Sequence, residues 1–493
     1  MLALGYDIGS SSVKCAIVDL ESGKTVAQGF YPAEEMEIRS PQPGFAEQDP
    51  ETWWRYATQL TRQIIASNRV DAKAIRSIGI SYQMHGLVIV DKSRRVLRPA
   101  IIWCDSRAVA TGAKAFEKLG KEYCLLHLLN SPGNFTASKL RWVKEHEPEI
   151  YRNIDKAMLP GDYVAMRLTG EVASTVSGLS EGIFWDFKRD AVSDKLLEYY
   201  GLDEAILPKS YLTFSFQGEV TPAVADVLGL RKGVVVSYRA GDQPNNAFSL
   251  NVLQPGEIAA TAGTSGVVYG VTDKLQFDRR SRVNIFAHVN HSCAQPRLGV
   301  LLCINGTGIQ NSWLRKNVGK DLSYDEINAA ASRIPIGSGG VQVFPFGNGA
   351  ERVLEDRNIG GHILGLDFHR HTEAHVFRAA QEGIAFALKY GVDVMRDMGL
   401  TIKVIRAGKA NMFLSPVFRE TLSNVTGASI ELYNTDGAIG AARGSTIGSG
   451  YYRSFEEAFR TLTKVDEIFP DNAKCAAVRE TYNGWLAKLK TFL

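Results

Sequence analysis

The 493-residue chain has few cysteines and almost no charge imbalance, and both scarcities narrow its function. Its six cysteines, at 15, 104, 124, 293, 303 and 475, share no CxxC spacing and form no cluster, which excludes a disulfide framework and a cysteine zinc site. Lysine plus arginine number 56 against 53 aspartate plus glutamate, too small a surplus to build a field that holds nucleic acid or anionic lipid. No apolar run approaches the ~18 residues of a membrane span. The apolar start Leu2–Ile8 has no basic segment before it and is interrupted by Gly9-Ser10-Ser11-Ser12, so it is not read as a secretory signal. The 46 glycines and 17 prolines are ordinary for folded proteins, setting aside disordered and collagen-like chains. The expectation is a folded cytoplasmic protein of two or three domains, free of nucleic acid and membrane.

What is present is an α/β pattern. Leu2–Ile8, Val13–Asp19 and Thr25–Phe30 are short apolar runs separated by turn residues, which predicts an antiparallel meander. A helix follows, with Asp49 as its cap, Pro50 at its first position, and Trp53, Ala57, Leu60 and Ile64 on one face. Ile75–Ser81, Leu87–Val90 and Ile101–Trp103 read as further strands. About half a chain length later the opening recurs: Glu257–Ala262 and Val267–Val271 flank Gly263-Thr264-Ser265-Gly266. That repeat predicts two similar lobes with a cleft between them, each offering a Gly/Ser/Thr hairpin to one ligand. Beyond it, Val376–Met398 reads as a long helix, Val404–Gly408 as a strand, Gly437–Ala442 as a small-residue helix that admits another backbone, and Asp471–Leu493 as a helix free to pack on either lobe.

Neither a P-loop nor a GxGxxG dinucleotide turn occurs. The hairpin from Gly5 to Lys14 supplies small residues whose amide and hydroxyl groups can donate to phosphate oxygens. Asp7 has Thr261 as its counterpart in the second hairpin, so the turn itself does not need a carboxylate. Asp7 is therefore assigned to Mg²⁺ through water, with capping of its own turn as the alternative. Asp242 follows the apolar strand Val234–Ala240 where a helix begins; it is either a plain helix cap or a carboxylate facing a substrate hydroxyl as general base. His85, after a strand and before Gly86, is either structural or a hydrogen-bond partner of a polyol. The groups His288/His291 and His369/His371/His375 lack a third metal ligand and are read as solvated. The charge pairs in Trp103–Arg107 and Gly349–Arg352 are read as inter-lobe ion pairs, or as substrate or hinge contacts.

Taken in order, Asp7–Lys14, Phe45–Trp54, Gln83–Gly86, Arg98–Arg107, Leu159–Tyr163, Gly241-Asp242, Gly263–Gly266 and Glu382–Leu388 resemble the FGGY carbohydrate kinases over essentially the whole chain. The resemblance implies two ribonuclease-H-like lobes of the actin-like ATPase kind closing over a sugar and MgATP, divided here as 1–240 for the sugar and 241–493 for the nucleotide. Carried over by position, Asp242 is the catalytic base and Asp7 the Mg²⁺-linked carboxylate. Gly9, Ser10, Ser11, Ser12 and Lys14, with Gly263, Thr264, Ser265 and Gly266, are the phosphate hairpins, and Met84 and His85 are the ketose-contact pair. The implied reaction is ATP-dependent phosphorylation of D-xylulose at O5, with a homodimer as the assembly to test. A kinase for another ketose or polyol, and a non-kinase actin-like ATPase or sugar sensor, are the alternatives. Two positions depart from the family pattern. Gly408, which the resemblance places at the nucleotide, is followed by Lys409-Ala410-Asn411-Met412-Phe413-Leu414 instead of a Gly-Gly-Gly-Ala run, which sets the bulk of Met412 and Phe413 at the adenine site. Arg239 and Pro244 replace smaller residues around Asp242, where Arg239 is a candidate contact to substrate or phosphate.

Overall fold

Leu2-Ala3-Leu4-Gly5-Tyr6-Asp7-Ile8 alternates large with small side chains, and the strand it forms sends the two sets to opposite faces. A computed structural model describes residues 1–493. In it β1 (Leu2–Ile8), β2 (Val13–Asp19) and β3 (Thr25–Tyr31) form the expected meander. Helix α1 (Pro50–Ser67) starts where its cap predicts, Asp49 accepting from the Glu51 amide at 3.0 Å. Its Trp53, Leu60 and Ile64 pack on the large face of β1, Leu2, Leu4, Tyr6 and Ile8. Burial of each such side chain is worth about 1.5–3 kcal/mol. Next come β4 (Ile75–Tyr82), the short helix α2 (Val176–Glu181), β5 (Val235–Gly241) and α3 (Asp242–Ser249). The first sheet runs β5-β4-β1-β2-β3, with the β5/β4 and β4/β1 pairs parallel.

The second half repeats that order. Its strands are β6 (Ile258–Ala262), β7 (Gly266–Thr272), β8 (Asn284–Ala287) and β9 (Leu298–Ile304), followed by helices α4 (Gly308–Asn317) and α5 (Glu373–Asp397). Then come β10 (Val404–Gly408), β11 (Ser429–Tyr433), α6 (Gly437–Gly448), β12 (Lys464–Ile468) and α7 (Asn472–Leu489). The sheet order is β8-β9-β7-β6-β10-β11-β12. Its centre, β11-β10-β6-β7-β9, has the same sequence of parallel and antiparallel pairs as β5-β4-β1-β2-β3, so the repeat read at the two hairpins is a repeat of whole lobes.

The lobes are joined by small residues. Helix α6 connects two strands of the second sheet, β11 and β12, yet lies on the small face of the first. A Cβ on Gly5 would come within 1.9 Å of the Ala438 carbonyl oxygen, and one on Gly79 within 1.9 Å of that of Ala441. Ser77 and Ser445 share a 2.8 Å hydroxyl bond, and Ser237 Oγ donates to the Ser445 carbonyl at 2.7 Å. At a second junction the first lobe covers strand β8. Asn130 brackets Ile285 with one donated and one accepted bond, while Ser177 and Ser180 of α2 bond the carbonyl and amide of Ala287. Helix α7 packs on the second lobe, where Trp485 donates to the Val343 carbonyl at 2.9 Å.

Some boundaries differ from the sequence expectation. Of Ile101–Trp103 only Ile101 is in a strand, Ala100–Ile101, paired with Glu47–Gln48; Trp103 lies beyond it, 51% exposed. Helix α5 begins three residues earlier than its apolar pattern, where Thr372 caps it. No helix is long and apolar enough to cross a membrane.

If α6 is seated on backbone-to-backbone contact, Gly79→Ala should lower unfolding free energy by about 1–3 kcal/mol or more, the usual range for overpacking. Gly263→Ala, whose new Cβ would meet nothing closer than Asn411 Nδ2 at 3.6 Å, should change it by less than about 0.5 kcal/mol. Denaturant titrations of the two variants check this.

Candidate active site

Both sheets deliver a helix start to the same cleft. β5 runs into α3, whose first residue is Asp242, and β11 leads to α6, capped by Asp436 through a 2.9 Å bond from the Ile439 amide. Asp242 and Asp436 are thus counterparts in the lobe repeat. Alternation along β1 puts Asp7 on the face shared with Ala3 and Gly5, so it meets the first turn of α6, where a Cβ on Gly437 would lie 2.7 Å from Asp7 Oδ2. The result is a cleft of about 300 Å³ whose walls include Asp7, Lys14, Asp242, Thr261, Gly408 and Asp436.

Three carboxyl groups and one ammonium share that space. Asp7 Oδ1 accepts from Ser81 Oγ at 2.9 Å, and Oδ2 is 3.6 Å from Lys14 Nζ. Burial, then the charge of Asp7, pushes Asp242 up to about 7. Asp436 is raised by burial, with the Ile439 amide opposing the shift and the Asp7 charge adding to it. Lys14 is raised first by Asp7, against the effect of burial. Asp242 is not the helix cap, because Gly241 occupies that position and Asp242 is the first helical residue. Its carboxyl instead faces the cleft.

The two hairpins flank these acids. In the first, the Gly9 amide closes the turn on the Ser12 carbonyl at 3.1 Å. The carbonyls of Ser10 and Ser11 accept from Gln48 Nε2 and the Met36 amide. In the second, the carbonyls of Gly263 and Thr264 accept from the Gly308 and Ile309 amides at 2.9 and 3.1 Å, and Gly266 leaves room for Thr307. With the carbonyls tied back, the amides of Ser10, Ser11, Thr264 and Ser265 donate to no protein carbonyl. Free amides on two facing turns suit a polyanion.

Met84 lies against Gly241, the residue before Asp242, and His85 follows it in the chain. A Cβ on Gly241 would meet Met84 Cγ at 2.6 Å and Glu181 Oε2 at 2.8 Å. His85, in the left-handed region at φ 61°, is flanked by Phe135 and Phe286 with ring centroids 4.7 and 5.2 Å away. Its Nδ1 is 3.0 Å from the Glu181 carbonyl. A carbonyl only accepts, so Nδ1 carries the proton and Nε2 is left as an acceptor. Burial, Lys139 and Arg352 hold the imidazole neutral, down to about 3. Arg352 crosses between lobes, its guanidinium 5.9 Å from the Phe135 ring centre.

Other expectations resolve differently. Arg239 is buried against Asp162, 3.1 Å away, so its guanidinium is held by a carboxylate of the first lobe. Arg107 pairs with Asp105 and Glu47 inside the first lobe, each at 2.7 Å, so that pair is not inter-lobe. Glu351 accepts from the Asn305 amide and has no ion partner. The solvated reading fails for His288, which is buried between the Tyr269 hydroxyl at 3.0 Å and the Val252 carbonyl at 2.9 Å, whereas His369 is exposed. Met412 and Phe413 are packed into the core, 4% and 1% exposed, with Phe413 also forming part of the cleft wall beside Gly408, Ala410 and Asn411. Asp436, Lys139 and Glu181 were not picked out from the sequence. Only Asp436 had a usable signal, its place before a helix in the second copy of the repeat.

Residues 2–249 match the N-terminal domain and residues 258–447 the C-terminal domain of the FGGY family of carbohydrate kinases. The chain is 30% identical over 486 residues to the xylulose kinase of Bacillus subtilis (strain 168), covering 96% of this chain and 93% of that one. The crystal structure of xylulose kinase from Rhodospirillum rubrum superposes with a TM-score of 0.88 at 25% identity, covering 100% and 99% of the two chains. The fold extends to Plasmodium falciparum glycerol kinase, TM-score 0.87 at 20% identity, covering 99% and 98%. The chain belongs to the FGGY family of carbohydrate kinases, with the actin-like ATPase fold.

The raised Asp242 carries a sign that can be measured. A carboxyl whose folded-state affinity for protons exceeds its unfolded one loses stability as pH rises from its ordinary range through about 7. Asp242→Asn, which cannot ionise, should raise the melting temperature relative to wild type at pH 8.5, and the gain should shrink towards zero at pH 5. Thermal melts at the two pH values check it.

Proposed function

We propose that this FGGY carbohydrate kinase transfers the γ-phosphoryl group of ATP to O5 of D-xylulose, with Asp242 as general base. The observation that supports the reading is Asp242 itself: a carboxyl pushed up to about 7, at a helix start in the cleft it shares with Asp7 and Lys14, directly after Gly241 against which Met84 packs. The names of the relatives favour xylulose; the shared fold alone does not, because it also serves glycerol. We take residues 1–240 as the lobe that holds the sugar and 241–493 as the lobe that holds the nucleotide.

On this reading the sugar lies against Met84, with a hydroxyl donating to His85 Nε2, and its terminal hydroxyl points at Asp242. The carboxylate accepts the proton as oxygen attacks phosphorus, which matches the driving force best when the base titrates near the working pH. The amides of Ser10, Ser11, Thr264 and Ser265, with Gly9, Ser12, Gly263 and Gly266 keeping the turns tight, hold the phosphate chain, and Lys14 adds positive charge. Catalysis of such a loose transfer is mostly positioning and charge stabilisation. Asp7, hard-oxygen and fixed by Ser81, fits Mg²⁺, which needs only one or two carboxylates plus phosphate oxygens and water and hence no protein cage. Bound there, Mg²⁺ would neutralise phosphate charge. Gly408 borders the nucleotide side of the cleft.

ADP release with MgATP, measured over D-xylulose, L-xylulose, D-ribulose, L-ribulose, L-fuculose, L-rhamnulose and glycerol, tests the substrate. Strong turnover on D-xylulose is expected; preference for another member would move the sugar and keep the chemistry. Asp242→Ala should lower kcat by about 10²–10⁴ with sugar and nucleotide still bound. Full activity in that variant would remove Asp242 as the base.

A further inference from the structure

Lys139 lies in the helix Thr136–His146 and is fully buried, 0% exposed. Its ammonium donates to two backbone carbonyls, those of His85 and Ile102, each at 2.9 Å. These carbonyls belong to different loops. One presents the His85 ring; the other leads directly into Trp103, whose Nε1 donates to Ser10 Oγ at 3.2 Å on the first hairpin. The residue before this helix, Phe135, is the ring that stacks edge-on against His85.

A buried ammonium is a costly way to join two loops. Replacing buried charge by an apolar side chain of similar volume is often neutral or stabilising, so stability alone does not account for a lysine here. Its surroundings offset only part of the cost of burying the charge. Burial pushes Lys139 down to about 7, opposed first by Asp105 and also by Cys104 and Glu181, while Arg107 adds to the fall. Glu181 is itself 2% exposed, with both carboxyl oxygens lacking a hydrogen-bond partner. His85 needs an external restraint, because a left-handed backbone at a non-glycine residue costs of order 1–3 kcal/mol and persists only where its surroundings fix it.

We propose that Lys139 is a positioning residue of the sugar pocket, tying the His85 and Trp103 loops to one ammonium so that the His85 ring is held in a single orientation with Nε2 towards the substrate. The inference rests on the proposed reading of that pocket as the ketose site. Lys139 touches no reacting atom; it acts through His85.

The test compares Lys139→Met, which keeps the volume and removes the donors, with Lys139→Gln, which keeps part of the donor capacity. In Lys139→Met the KM for the sugar should rise about ten- to a hundredfold, the scale of a misplaced contact, while the KM for MgATP stays within about twofold; Lys139→Gln should fall between. In ¹⁵N-histidine spectra, with the His85 signal assigned by its loss in His85→Gln, wild type should show one neutral tautomer protonated at Nδ1 and Lys139→Met a mixture. An unchanged sugar KM with an unchanged His85 signal would overturn the proposal. So would a parallel rise of both KM values with a fall in melting temperature, which assigns Lys139 to folding. A wild type inert on every ketose would overturn the substrate reading instead, and the His85 signal would then decide the role of Lys139 by itself.

Discussion

Crowding of like charge at the meeting point of two lobes is the constraint on which the rest of this structure depends. Asp7, Asp242 and Asp436 arrive from a strand and two helix starts, with Lys14 as the ammonium among them. At an effective dielectric near 20, unit charges ~4 Å apart interact by ~4 kcal/mol, enough to keep one of several clustered carboxyls protonated near neutrality. Asp242 is pushed up to about 7 by burial first and by the Asp7 charge second, and ionising it in the empty cleft is unfavourable without a counter-charge. Cations and the amides of the two hairpins are the natural relief. The same repulsion that is costly in the empty cleft raises the basicity a proton acceptor needs.

The approach of the acids depends on absent side chains. Gly5 and Gly79 let α6 settle on the first sheet, and Gly437 lets its first turn reach Asp7. A helix contributed by one lobe and seated on the other makes the cleft a property of both. The pocket around His85 follows the same plan, with Phe135 from the first lobe, Phe286 and Arg352 from the second, and strand β8 bracketed by Asn130, Ser177 and Ser180. Helix α2 serves both purposes: its serines hold β8, and its last residue, Glu181, sits beneath His85.

Much of this was legible in the sequence because it is local. The turn residues after β1 and β6, the Asp49-Pro50 start of α1 and the Gly241-Asp242 junction are short-range patterns, and the ends of β1, β2 and β10 fall where those patterns place them. The doubled lobe showed in two hairpins. What was not legible is what distance in the chain hides. Asp436 becomes a partner of Asp7 only when α6 crosses to the first sheet, and Lys139 reads as an ordinary helix lysine until its head is found on two carbonyls. Arg239 stands three residues before Asp242, but it is buried on Asp162, a partner from a helix far earlier in the chain that the local sequence does not announce. The bulk of Met412 is packed inward and that of Phe413 is buried in the cleft wall, which sequence alone does not reveal.

The central claim is that Asp7 and Asp242 are electrostatically coupled across the cleft. Its most direct test is to titrate the Asp242 carboxyl by ¹³C NMR in the ligand-free protein, as wild type and as Asp7→Asn, with Asp242→Asn identifying the signal. The structure predicts a midpoint of about 7 in wild type and a clear fall when Asp7 loses its charge. A midpoint in the ordinary carboxylate range, or one that does not respond to Asp7, would contradict it.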